Sequence, residues 1–297
     1  MHVLAVAVTY NPHLPLLGKA LQSVAAQVQG LVVVDNGSAN AGEIRAIVSA
    51  AGGHFLLNET NRGIAAAQNQ GIDVARTKGF SHILLLDQDT VLAPEVVADL
   101  SANLAALEEE HGKVAAIGPA YFEVNSQQMT KAYRNHGLRL SRISLGSATQ
   151  PVASDSIIAS GSLIPLAVLD KVGWFREDLF IDLVDVEWCF RARAAGFESF
   201  LSPTARVDHH LGSGTVKLGS RQIAVHIPLR NYYWVRNALW LARQPYTPLA
   251  WRLYFTSRCL AFFGTYPILT DNKIERLRLM ARGLRDGLTG RLGPLNP

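Results

Sequence analysis

ILLLDQDT (residues 83–90) joins an unbroken apolar run, Ile83 to Leu86, to two aspartates one residue apart, Asp87 and Asp89. A strand without polar alternation is buried on both faces, the usual state of a parallel strand covered by helices on each side. The paired charge then marks the strand's carboxyl end, where open α/β sheets gather their ligands. The same pattern recurs through the first half of the chain. VLAVAVT (3–9) runs into Tyr10-Asn11-Pro12, LVVVDNGS (31–38) closes on Asp35-Asn36-Gly37, and HFLLN (54–58) and VAAIG (114–118) supply two more strands. Helical patterns lie between them at 15–28, with Pro15 in the first turn, at 64–79, stopped by Gly79, and at 94–110, opened by Pro94. The alternation predicts an α/β fold with a mostly parallel central sheet flanked by helices.

Later segments are less regular. Residues 119–158 carry polar turns and a candidate hairpin, and 157–175 pass through a glycine into a short helix. A helix is expected over 186–194, ended by Gly196. From about residue 217 the chain turns helical, aromatic and basic. This divides it into an α/β domain at 1–215 and a C-terminal helical region at 216–297.

The 297 residues are 48% apolar and 18% charged, a globular composition. The two cysteines, Cys189 and Cys259, are far apart and form no ligand-spaced set. They read as free thiols of a reducing, cytoplasmic compartment. The N-terminal residues, without a basic flank or cleavage site, read as a first core strand and not as a signal peptide. No uncharged apolar run reaches the roughly 18–20 residues of a membrane span. The longest candidate, 259–270, contains Gly264 and Pro267. The net charge of +4 hides an asymmetry: from Lys217 onward 13 Lys/Arg face 3 Asp/Glu, so the tail is +10 and the body −6. Such a tail attracts nucleic acid, an anionic membrane or an acidic substrate.

Two carboxylates at a strand tip suit Mg²⁺ or Mn²⁺, which take oxygen ligands and share them with substrate phosphates. Equally, Asp87 caps a turn and Asp89 faces water. The polar clusters at the neighbouring strand ends favour the metal. Neither G-x-x-x-x-G-K-[ST] nor G-x-G-x-x-G follows the first strand, so a nucleotide is not bound in the kinase-type or dinucleotide manner. Asp35 can accept hydrogen bonds from a base or ribose, or build an Asx turn with Asn36 and Gly37. In FIDLVDVEW (180–188), Asp182, Asp185 and Glu187 sit at a helix start, which favours carboxylates through the helix dipole. One of them, aimed into a cleft, can instead serve as general base. Trp188 is a platform for a sugar ring or a core aromatic. Of the adjacent His209 and His210, only one can face a site on a given side of a strand. His209 is the candidate third metal ligand.

In order and spacing, AVAVTYNP, VVVDNGS, NETNRGIAAAQNQGI, LLLDQDT, ASGSLIP, VDVEWCFRARAAGF and VDHHLG resemble family 2 inverting glycosyltransferases of the GT-A fold. Within that family the chain is most similar to bacterial rhamnosyltransferases of surface polysaccharide synthesis, and RNYYWVRNALWLAR and GLRDGLTGRLG resemble that group as well. The resemblance implies that Thr9, Tyr10 and Asn11 line the nucleotide pocket and that Asp35 receives the base. Asn61, Arg62 and Gly63 would form the turn beside it, with Gly161 of ASGSLIP also on the donor side. Asp87 and Asp89 would be the DxD element that meets metal and sugar diphosphate, joined by His209. Asp185 takes the catalytic-base position, although Val184 replaces the acid that commonly precedes it. Glu187 and Trp188 are expected to bind substrate.

The implied reaction is a direct displacement from dTDP-β-L-rhamnose onto a hydroxyl of a glycan or polyprenyl-diphosphate-linked acceptor. The basic tail then fits the inner face of the cell membrane as a peripheral contact. It fits equally a helical cap or the surface of a homo-oligomer. A UDP- or GDP-sugar donor is the alternative within the fold. A sugar nucleotidylyltransferase lacks support because TYNPHLP offers no glycine-rich phosphate loop. A nucleic-acid-binding role rests on the tail alone, and the acidic body opposes it.

Overall fold

The structure, a computed structural model, describes residues 1–123, 128–209, 215–218, 221–224 and 227–295. Its centre is β1 (Val3–Thr9), hydrogen-bonded in parallel to β2 (Gly30–Asp35) on one side and β4 (His82–Asp87) on the other. β3 (His54–Leu57) continues the parallel order beyond β2. Side chains along β1 alternate between two cores. Leu4 and Val6 join the layer of α3 (Ile64–Thr77) and α6 (Val184–Ala194). Val3, Ala5 and Ala7 join that of α1 (Leu14–Ala25), α2 (Ala41–Ala50) and α4 (Val96–His111). Two covered faces explain why these strands show no polar alternation. At Gly71 of α3 the helix sits so close to β1 that a Cβ would lie 2.2 Å from a methyl of Val6.

Beyond β4 the sheet becomes mixed. The order is β3-β2-β1-β4-β10-β5-β11-β9, where β5 is Val114–Glu123, β9 Val152–Ser154, β10 Leu163–Pro165 and β11 Glu198–His209. β10 is antiparallel to both β4 and β5, while β11 is parallel to β5. β6 (Gln128–Met129) pairs with β5, and the hairpin expected in 119–158 is β7 (Lys131–His136) with β8 (Arg139–Ser144). β12 (Thr215–Leu218) pairs antiparallel with β13 (Arg221–Ala224), and α5 (Leu166–Val172) follows β10. The chain leaves β1 toward β2 and returns on the opposite side at β4. Their carboxyl ends therefore open a crevice, the usual ligand position of such sheets.

The C-terminal helices α7 (Pro228–Ala242), α8 (Leu249–Leu269) and α9 (Lys273–Thr289) pack against the body. Val235, Leu241, Trp251 and Phe255 belong to the same buried cluster as Trp188 and Phe190. Polar contacts pin the join. The Trp251 indole donates to Asp155 at 2.8 Å, Arg193 also pairs with Asp155, and Tyr246 donates to Glu187 at 2.8 Å. α7 and α9 approach through glycine: a Cβ on Gly283 or Gly287 would lie 2.6 Å from the carbonyl oxygen of Tyr232 or Arg236. Among the described residues no helix is long and apolar enough to cross a membrane.

Candidate active site

Thr9 and Asp35 face each other across the carboxyl ends of β1 and β2, with Thr9 Oγ1 donating to Asp35 at 2.8 Å. The Asp35 carboxylate, fully buried, also accepts from the backbone of Gly37 and Ser38 and from Ser38 Oγ at 2.6 Å. It therefore ties the turn after β2 to the end of β1. Asn11, at φ 46°, extends the seam: its N–H donates to Ser38 Oγ and its side chain accepts from Ala39. A second seam joins Asn36 to the 61–63 turn. Asn36 Nδ2 donates to the Gly63 carbonyl at 3.0 Å, and Asn61 accepts the Gly63 N–H at 2.9 Å.

Across the crevice, the Asp87 N–H donates to Ser160 Oγ at 2.9 Å, and Ser160 Oγ is 2.7 Å from Thr90 Oγ1. Tyr121 donates its hydroxyl to the Ser160 carbonyl, and Gln88 accepts the Tyr10 N–H at 2.8 Å, bridging the ends of β1 and β4. The resulting cavity of about 610 Å³ has Thr9, Tyr10, Asn36, Asn61 and Gly63 on one wall. Asp87, Asp89, Thr90 and Tyr121 form another, and residues 180–185 with Arg230 close it.

Four carboxylates share this cavity: Asp87, Asp89, Asp182 and Asp185. Burial, then Asp89 and Asp185, push Asp87 up to about 6, with Arg230 pulling the other way. Burial also raises Asp185, against N–H donors from Val186 at 2.8 Å and Ala159 at 3.1 Å. Arg230, from the first turn of α7, makes a two-pronged ion pair with Asp182. Among the described residues no group of three or more His, Cys, Asp or Glu side chains is assembled to hold a metal. Asp87 and Asp89 nevertheless suit a divalent cation that takes one or two carboxylates and completes its shell with substrate phosphate and water. The His209 side chain lies outside the described residues.

The structure thus brings Thr9, Tyr10, Asn61, Gly63, Asp87, Asp89 and Asp185 to one cavity. Asp35 stands buried behind its wall, while Asn11 and Arg62 are exposed and do not line it. Gly161, at φ 72°, lies below the site, its N–H donating to Leu85. Glu187 and Trp188, expected to bind substrate, are both interior. Glu187 is two residues, about 200°, around the helix from Asp185, and there it pairs with Arg191 at 2.8 Å. Trp188 passes beneath Asp185 into the core, where its indole donates to the Gly173 carbonyl at 2.9 Å.

The sequence reading missed Thr90, Tyr121, Ser160, Arg230 and the 180–183 loop. Phe180, Asp182 and Leu183 in that loop all have positive φ, between 62° and 67°, a region non-glycine residues rarely occupy. Gly63 braces it. At φ 87°, a Cβ there would lie 2.6 Å from the Phe180 carbonyl oxygen, which accepts the Ile64 N–H at 2.7 Å. Gly63→Ala is expected to destabilise the protein by about 1–3 kcal/mol, read from denaturant unfolding, because both backbone and neighbour resist the methyl.

The Glycosyl transferase family 2 profile matches residues 5–162. The chain is 31% identical over 294 residues to the dTDP-rhamnosyl transferase RfbF of Shigella flexneri, covering 98% of this chain and 97% of the relative. Among solved structures, Staphylococcus aureus TarS 1–349 in complex with UDP-GlcNAc superposes with a TM-score of 0.62 at 17% identity, over 97% of this chain and 81% of TarS. GalNAc-T7 with UDP, GalNAc and Mn²⁺ gives 0.57 at 14% identity, over all of this chain and 59% of GalNAc-T7. These two likenesses show the shared fold. The chain belongs to glycosyl transferase family 2 and is a nucleotide-sugar glycosyltransferase of the GT-A fold.

Proposed function

We propose that the protein transfers L-rhamnose, with inversion, from dTDP-β-L-rhamnose to a hydroxyl of a glycan or polyprenyl-diphosphate-linked acceptor in cell-surface polysaccharide synthesis. The observation that carries the reaction is the placement of Asp185 on one cavity that also receives Asp87 and Asp89. The near full-length similarity to a dTDP-rhamnosyl transferase supports the donor.

In this reading the nucleotide lies along Thr9, Tyr10 and Asn61, and the sugar diphosphate reaches toward Asp87 and Asp89. Those two carboxylates would hold Mg²⁺ or Mn²⁺, which when bound would supply positive charge to offset that of the diphosphate. Asp185 accepts the proton of the acceptor hydroxyl as its oxygen attacks the anomeric carbon from the opposite face. The bond to the diphosphate breaks as the new bond forms, which inverts the centre. Arg230 adds positive charge on the same wall. The outer faces of α8 and α9 expose Leu253, Leu260, Leu277 and Leu284, and the tail is basic. That combination suits a peripheral position on the inner face of the cell membrane, where a lipid-borne acceptor is presented.

A donor panel tests the proposal. dTDP-rhamnose, UDP-glucose, UDP-N-acetylglucosamine and GDP-mannose are each offered with Mg²⁺ or Mn²⁺ and lipid-extract acceptor. Only the rhamnosyl donor is expected to give product, with an α-linkage by NMR. Preference for a UDP- or GDP-sugar replaces the donor assignment.

A further inference from the structure

The loop that closes the cavity is held in its left-handed conformation from outside, by a helix more than fifty residues later. Asn237 of α7 is fully buried, and its Nδ2 lies 3.0 Å from the Leu179 carbonyl oxygen and 2.8 Å from those of Ile181 and Asp182. The amide cannot be turned around. Its Oδ1 accepts Arg236 Nε at 2.9 Å, and reversal would set oxygen against three carbonyls. Arg236, equally buried, donates Nη2 to Leu179 at 2.7 Å and Nη1 to Gly293, whose own N–H reaches Asp178 at 2.6 Å. Tyr233 stacks on Phe180, with centroids 5.0 Å apart and planes within 18°. Left-handed turns direct the loop carbonyls toward α7. Such a conformation persists only where its surroundings over-determine it.

We propose that Asn237, oriented by Arg236, is a positioning residue for catalysis. It fixes the 178–183 loop, and through it Asp182 and the helix start that carries Asp185. The C-terminal helices are then part of the catalytic framework. They lie outside the 5–162 stretch that the family profile matches. The proposal rests on the reading of Asp185 as the base.

The test uses the full chain and the variants Asn237→Asp and Asn237→Leu. Tyr232→Phe serves as the comparison: it removes the hydroxyl's hydrogen bonds with Asp286 and Arg236 and leaves the three carbonyl contacts of Asn237 in place. Rates are normalised to the fraction that binds nucleoside diphosphate with Mn²⁺. Both Asn237 variants are expected to lose about 30-fold in kcat with donor KM changed by less than about threefold. Hydrogen exchange across 178–186 should quicken by about tenfold while β1 and β4 are unchanged. Tyr232→Phe should keep both its kcat and its exchange pattern. Unchanged exchange in the Asn237 variants, or kcat within about twofold of wild type, overturns the proposal, as does an equal kcat loss in Tyr232→Phe. If neither variant folds, Asn237→Ser, which keeps one donor, is judged by the same two readouts. Failure of the functional reading shows separately, as full transfer by Asp185→Asn. The exchange arm stands apart from turnover.

Discussion

Asp185→Asn is expected to lower sugar transfer by about 10³-fold, a barrier increase of about 4 kcal/mol, with nucleoside diphosphate still bound. The amide has the shape of the carboxylate but cannot take a proton from the attacking hydroxyl. Donor affinity is spared because Thr9, Tyr10, Asn61, Asp87 and Asp89 line other walls of the cavity. A small stability loss, about 1 kcal/mol, should accompany the change. Asp185 accepts two backbone N–H groups, from Val186 on Oδ1 and from Ala159 on Oδ2, and asparagine keeps an acceptor oxygen for one of them while its NH₂ faces the other.

The pH profile adds a second readout. Burial raises Asp185 above the ordinary value of 3.8, and Asp182 pushes in the same direction while the two backbone donors oppose. Asp87 shares the cavity and Arg230 faces it from α7. A base must be ionised, so turnover should fall as pH falls through this raised pKa. The acid limb then begins above the range of a free aspartate. Residual activity in Asp185→Asn should lose the limb that belongs to this group. Full transfer by the variant, measured at saturating donor, would dismiss Asp185 as base.

Much of this arrangement was legible from residue patterns, for physical reasons. β1, β2 and β4 read correctly because a strand covered on both faces must be apolar at consecutive positions, and Ile83 to Leu86 are all buried. Their polar termini marked the cleft because a turn at a strand's carboxyl end is where side chains meet ligand. Other elements left weaker traces. α2 buries only Ile44 and Val48 and shows too short a stripe to reveal its period. β10 is three residues long, and nothing in Leu163-Ile164-Pro165 announces an antiparallel insertion between β4 and β5. FIDL gave no sign of left-handed residues, because the cause lies in Asn237 and Gly63, distant in sequence. Arg230 is one of 13 basic residues in the tail, and only the packing of α7 selects it for the cavity. Placement of Glu187 and Trp188 failed for a related reason. Proximity in sequence to Asp185 says little once a helix turns successive side chains to different neighbours.

Asp87→Asn should cut kcat/KM by about 10²–10³-fold and abolish stimulation by Mg²⁺ or Mn²⁺, with Asp89→Asn following in the same direction. The two carboxylates enter the cavity from the end of β4, and burial leaves Asp87 poorly solvated beside Asp89 and Asp185. That crowding is unfavourable in the metal-free protein. Because the folded-state pKa of Asp87, about 6, lies above the ordinary 3.8, its ionised form opposes folding at neutral pH. The native state binds the proton more tightly, so this group adds stability as pH falls from 7 through 6 and the gain is complete below 3.8. A neutral Asn removes the penalty. In chelator-treated protein at pH 7, Asp87→Asn should therefore be more stable than wild type by about 1–3 kcal/mol, with a flatter stability profile between pH 7 and 4. Lost activity with gained stability distinguishes a carboxylate kept for its charge from one kept for the fold. A variant that unfolds more readily at pH 7 while retaining metal-stimulated transfer would make Asp87 a carboxylate kept for the fold.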